Sequence, residues 1–137
     1  SSALTLEGYA DFNMLPGGRD QMTLKVLAAY KGESLRGGVE AFTRINKEVG
    51  RAAQIGDDVT ISGVSLFAAL PVGESSKGFG RVDLVRNDDR DTTDLLIIAG
   101  IDREVEKNIH LMPNLYVQLP DGPDANIQAR LTASYKF

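Results

Sequence analysis

Few residues in this chain could do chemistry. There is one imidazole, His110, and no cysteine, so a zinc site would need carboxylates at spacings the chain does not offer. His110 reads instead as a lumen or surface residue. The densest carboxylates are Asp88, Asp89, Asp91 and Asp94, of which Asp88, Asp89 and Asp91 are candidate ligands for a divalent cation. They lack the loop spacing of a dedicated calcium site, and a solvated acidic loop is the plainer reading. No Gly-x-Ser-x-Gly, phosphate loop or dinucleotide fingerprint occurs. Gly17, Gly18, Gly37, Gly38, Gly78 and Gly80 read as turn and strand-bend positions. The expectation is no catalytic residue, no cofactor and no enzyme.

What remains is a set of charges at alternating positions: Glu7, Asp11, Lys25, Glu40, Arg44, Arg81, Asp83, Asp102, Glu104, Arg130 and Lys136, six acids against five bases. Near balance suits mutual pairing in a narrow lumen, where an unpaired charge is costly. The elements that carry them alternate apolar and polar residues with a period of two, the signature of strands. Eight strands are expected, at 4–14, 22–31, 36–46, 59–70, 79–86, 95–105, 109–119 and 127–137. Leu6, Gly8, Ala10, Phe12 and Met14 define the apolar side of the first; Met22, Leu24, Val26, Ala28 and Tyr30 define that of the second. The fourth is apolar on both sides toward its end. Residues 48–55 could form a short helical turn, but no amphipathic helix is predicted.

The connections support sequential hairpins. The second and sixth are very short, the third and fifth long and acidic, and the first and seventh intermediate. Only the fourth, over 71–78, is longer than this alternation wants. The fold class expected is therefore all-β: an eight-stranded antiparallel up-and-down (meander) β-barrel in a single domain over 1–137, complete or the C-terminal part of a larger barrel.

Bulk properties allow this and exclude other classes. At 137 residues the chain suffices for one core or a small closed barrel. No run of eighteen apolar residues is present, so no transmembrane helix is expected; a membrane barrel alternates and so escapes that test. The formal charge of −4, with basic residues scattered, offers no face to nucleic acid. The absence of cysteine is compatible with export. The chain opens at Ser1 without a signal peptide, so for an exported form the expectation is that a leader has been removed or never belonged to this sequence.

The final stretch, Ile127-Gln-Ala-Arg-Leu-Thr-Ala-Ser-Tyr-Lys-Phe137, alternates without a break and ends on an aromatic. It resembles the C-terminal strand of bacterial outer-membrane β-barrel (porin-like) proteins, whose last residue is typically Phe with an aromatic two positions earlier. The stretch from Lys107 through Pro113 to Leu115 similarly resembles the last hairpin of that class. The resemblance implies that Ile127, Ala129, Leu131, Tyr135 and Phe137 close the barrel against the first strand and serve as an assembly signal. It also implies a bacterial outer-membrane location, with the lipid bilayer and the barrel-assembly machinery as partners.

Alternation does not say which face is inside. Small residues on the proposed outward face (Gly8, Ala10, Ala28, Gly37, Ala41, Gly63, Ala129, Ala133) would fill a soluble core poorly, which favours apolar-out. Tyr30, Phe67, Tyr135 and Phe137 would form a thin aromatic belt. In that arrangement the protein is a porin-like pore or a membrane anchor with a largely side-chain-filled lumen. Two alternatives stay open: a soluble ligand-binding barrel of lipocalin or avidin type, its cavity lined by Phe12, Val26, Phe67, Leu115 and Tyr135, and an engineered barrel scaffold without activity.

Overall fold

Alternating residues and hairpin-length connections produce a meander. The computed structural model of the chain describes residues 2–16, 19–47, 58–122 and 124–135. Within them lie eight strands: β1 (Ala3–Asn13), β2 (Gln21–Lys31), β3 (Arg36–Asn46), β4 (Val59–Gly73), β5 (Ser76–Asn87), β6 (Thr92–Glu106), β7 (Ile109–Leu119) and β8 (Asn126–Tyr135). They form one sheet in the order β1-β2-β3-β4-β5-β6-β7-β8, and every pairing is antiparallel. No pairing joins β1 to β8 among the described residues, so the sheet has two free edges. The expected helical turn at 48–55, the turn glycines Gly17 and Gly18, and the terminal Lys136 and Phe137 lie outside the described residues.

Connection length follows the parity of the strands. At one end of the sheet the links are residues 32–35, 74–75 and 107–108; at the other they are 14–20, 47–58, 88–91 and 120–125. The fourth connection is thus not the exception that its sequence indicates, because β4 and β5 run on almost to each other. Pro71, which looks like a strand breaker, falls at a β-bulge between Pro71 and Gly73, where a residue without an N–H is tolerated. The fifth connection is in turn shorter than expected. Asp91 and Asn108 carry the positive φ values that tight turns require, 48° and 66°; Asp and Asn tolerate that region better than other side chains. Pro113 interrupts a second ladder: β6 pairs with β7 up to Gly100↔Asn114 and resumes at Arg103↔Leu111.

The register fixes which residues share a face, since directly opposed residues project to the same side. One side carries Leu4, Leu6, Phe12, Met22, Leu24, Val26, Tyr30, Val39, Ile45, Val64, Leu66, Val82, Leu84, Ile97, Leu115, Val117, Ile127, Leu131 and Tyr135. This apolar side is the exposed one: Leu6 is 72%, Leu131 70% and Val26 61% accessible. The polar side is sheltered only in part: Ser65 is 5% accessible and the side chains of Asp83 and His110 are 13% and 14%, whereas Tyr9 at the β1 edge is 53% and the Arg81 side chain 48%. Twisted sheets of this size coil, and this one coils with its polar face inward.

Candidate functional site

The sheltered face is built from every second residue of each strand. Glu7, Asp11, Lys25, Glu40, Arg44, Arg81, Asp83, Asp102, Glu104 and Arg130 all lie on it. Before the bulge near the end of β6, the opposite face of the strands carries only Arg86 and Arg103 as charged residues, each close to a strand end. Binary patterning is therefore carried across the whole sheet, not only along single strands.

The inward charges form local pairs rather than one connected network. Lys25 Nζ lies 3.1 Å from Glu40 Oε2, joining β2 to β3. On β5 the Arg81 Nε–H donates to both oxygens of Asp83 at 2.8 and 2.9 Å, and the Ser65 hydroxyl on β4 donates to the same carboxylate. Arg130 donates to Gln128 Oε1 at 3.1 and 2.7 Å and stacks on the Tyr116 ring at 3.9 Å, a favourable cation–π arrangement. Glu104 accepts the Asn108 N–H at 3.3 Å, and Asp11 accepts from Asn13 Nδ2 at 2.7 Å. Glu7 and Arg44 make no ion pair with another described residue.

Two inward features have no counterpart in the sequence reading. The first joins Asp102 Oδ1 to His110 Nδ1 at 2.7 Å, across the two-residue turn between β6 and β7. Pro113 and the interrupted ladder leave Asp102 without a direct strand partner on β7, which frees it to turn toward the imidazole. The pair borders a 220 Å³ pocket together with Lys77, Glu104, Ser75 and Ser76. The eight-residue separation and the intervening turn were the available signal.

The second feature is a repeated stitch of phenylalanine over glycine. Phe67 lies opposite Gly38, and Phe42 opposite Gly63, between β3 and β4. Phe79 lies opposite Gly100 between β5 and β6. A Cβ on Gly38, Gly63 or Gly100 would meet those rings at 2.8, 2.5 and 2.6 Å respectively, closer than real Cβ contacts allow. Each ring thus occupies the space where its partner's side chain would stand, the arrangement by which aromatics stabilise strand glycines. Two expectations are corrected by the same register: Gly63 and Phe67 belong to the inward face, not to the outward small-residue set and aromatic belt. The apolar run at the end of β4 offers no sequence cue to its sidedness. Phe67 therefore lies on the opposite side of the sheet from Phe12, Val26, Leu115 and Tyr135, so these five do not line a common cavity.

On the outward face, Gly8, Ala28 and Ala41 leave a shallow apolar depression of about 440 Å³, walled by Leu6, Val26 and Val39. Ile127, Ala129, Leu131 and Tyr135 face outward on β8, opposite Val117, Leu115, Pro113 and Ile109. Phe137 and Lys136 lie beyond the described residues. The acidic loop is neutralised from within: Arg86 reaches Asp88 at 3.0 Å and Asp91 at 2.9 Å. Asp94 accepts the Asp121 N–H at 3.1 Å, tying that end of β6 to the connection before β8. Among the described residues no group of three or more His, Asp and Glu side chains gathers as a cation site requires, and Asp88, Asp89 and Asp91 do not converge on one point. No helix among them is long and apolar enough to cross a membrane, a test that does not address strands.

No family model matches the chain, and neither a curated protein nor a solved structure matches it.

Proposed function

We propose that the protein is a transmembrane β-barrel of bacterial outer-membrane type, whose sheet closes on itself with the apolar face toward lipid. The observation that carries this reading is the exposure of the apolar face, continuous from Leu4 on β1 to Tyr135 on β8. Water-soluble monomers rarely expose apolar patches beyond a few hundred Å², whereas a bilayer requires such a band.

Dimensions support it. A strand of 11 residues at about 3.3 Å per residue is about 36 Å long. Tilted by roughly 36°, it rises about 29 Å, close to the roughly 25 Å apolar band of membrane barrels. The charges on the apolar face, Arg86 and Arg103, sit near strand ends, where side chains can reach the headgroup region.

The interior favours an anchor over a pore. An eight-stranded barrel has a lumen that side chains can fill, and here Phe42, Phe67, Phe79, Arg81, Leu96 and Tyr116 all project inward. Any recognition would then reside in the longer connections at one end. The lipid bilayer is the partner this surface fits, and such a barrel would reach it through the barrel-assembly machinery.

The test is sedimentation velocity of the folded chain with and without detergent. A β-rich monomer that requires detergent and aggregates on its removal is the expected result. A compact β-rich monomer in detergent-free buffer overturns the proposal and returns the soluble barrel.

A further inference from the structure

The free edges of β1 and β8 are complementary in one particular register, and the geometry points to a seam in which Asp11 lies opposite Arg130. This inference rests on the closed-barrel part of the reading above, not on the membrane.

The stagger can be followed through the ladders. Starting at Ala3, directly opposed residues are Lys31, Arg36, Ala69, Phe79, Gly100, Asn114 and finally Arg130. Starting at Glu7, the row ends at Asn126. Level pairing of the edges would therefore use only the first part of β1 and of β8, leaving Ile127–Tyr135 mostly past the start of β1. Successive strands have drifted toward the end of the sheet with the tight turns, as tilted barrel strands do.

Three requirements then select the offset. It must be even, because an odd slip would turn one strand's apolar side chains inward. It must give a tilt of about 35–45°; for eight strands a stagger of 8 corresponds to about 36°, and in proportion a stagger of ten to about 42° and of six to about 29°, so eight and ten both meet it. And it should pair the inward charges at the seam. Displacing the edges so that Asp11, instead of Ala3, meets Arg130 is a stagger of eight residues, and it opposes the two charges directly.

The same register sets Tyr9 against Thr132 and Glu7 against Ser134 on the inner face, and Leu6 against Tyr135, Ala10 against Leu131 and Phe12 against Ala129 outside. Large side chains thus meet small ones at the last two of these pairs. Among the described residues Arg130 holds Gln128 and the Tyr116 ring, and Asp11 holds Asn13. Across the seam each gains a charged partner in a sheltered setting, where such bonds are stronger than neutral ones.

The chain has no cysteine, so engineered pairs read the seam without background. Tyr9→Cys with Thr132→Cys reports a stagger of eight; Tyr9→Cys with Ser134→Cys reports ten, and Tyr9→Cys with Arg130→Cys reports six. Each is oxidised after folding in detergent and again in detergent-free buffer, so the seam is scored whether or not the membrane reading survives. The expected result is an intrachain disulfide formed at least tenfold faster in the first pair. A faster reaction in either other pair, or a disulfide formed only between two chains, overturns the assignment. Charge exchange supplies an independent readout. Asp11→Arg should lower the folded yield severalfold, and adding Arg130→Asp should restore it; no recovery counts against the pair.

Discussion

Val26 is the sixth of 11 residues in β2, on the apolar face and 61% accessible, so an arginine there tests what that face meets. Met22 and Tyr30 stand four residues to either side on the same strand and face. At about 3.3 Å per residue and a tilt of roughly 36°, each lies about 11 Å from Val26 along the barrel axis. That distance nearly reaches the rim of a roughly 25 Å apolar band. Arginine at the midplane of a membrane barrel costs about 2–4 kcal/mol and near the interface about 0–1, because a side chain near the rim can extend its guanidinium into the headgroups. Val26→Arg should therefore reduce the folding equilibrium constant by about 30- to 700-fold at 1.4 kcal/mol per tenfold, and Met22→Arg and Tyr30→Arg by less than about tenfold. The assay is a denaturant titration of folding into phospholipid vesicles, followed by far-UV circular dichroism because the chain contains no Trp. An apolar face that met water would give three small effects, each within about 0.5 kcal/mol. Equal costs at the three positions would refute the reasoning.

Two further outcomes follow from the inner face and the loop. Gly63→Val drives a Cβ to 2.5 Å from the Phe42 ring and 2.9 Å from the Leu84 carbonyl oxygen; overpacking of this kind costs about 1–3 kcal/mol. Gly80→Ala, whose Cβ would meet nothing nearer than 3.7 Å, should be close to neutral, and equal denaturant midpoints for the two variants would show that the phenylalanine stitches do not constrain the sheet. Calcium should leave the thermal midpoint of the intact chain unchanged, because Arg86 already occupies Asp88 and Asp91; a saturable calcium-dependent rise would show that the ion displaces the guanidinium.

Strand positions were legible in the sequence because period-two alternation is a local signal. β3 and β7 occupy the residues that their patterns indicate, and the other strands differ at their ends. The sidedness of β4 was not legible, since Leu66, Phe67, Ala68 and Ala69 offer apolar residues to both faces and only the opposed residues of β3 and β5 decide. The stitches of Phe42 on Gly63, Phe67 on Gly38 and Phe79 on Gly100 were hidden for the same reason: each glycine looks like a weak point until the neighbouring strand is in register. Pro71 and Gly73 mimicked a turn because a bulge and a turn use the same residue types. The segregation of charge by strand face was readable from position parity. Which inward charges would meet was not, because Asp83 with Ser65 and Asp102 with His110 depend on register and on the interrupted ladder at Pro113.

The strictly sequential pairing also governs how the sheet can form. Each strand contacts only its neighbours in the chain, so hairpins can zip one after another, and nearly all native contacts are available to a growing segment. In the proposed closed barrel, the single step that joins distant parts of the chain is the meeting of β1 with β8. In an unstructured polymer, bringing ends roughly 120 residues apart together would cost about 4 kcal/mol by the logarithmic law plus a constant. Here most of that cost has already been met once the intervening strands are in place, since the edges then hang from one coiled surface at a set displacement. What is left is a docking of two rows of unpaired amides and carbonyls, which until then can add a strand from any neighbouring molecule. The lifetime of that open intermediate, set by how fast the edges meet, would determine the competition between folding and aggregation.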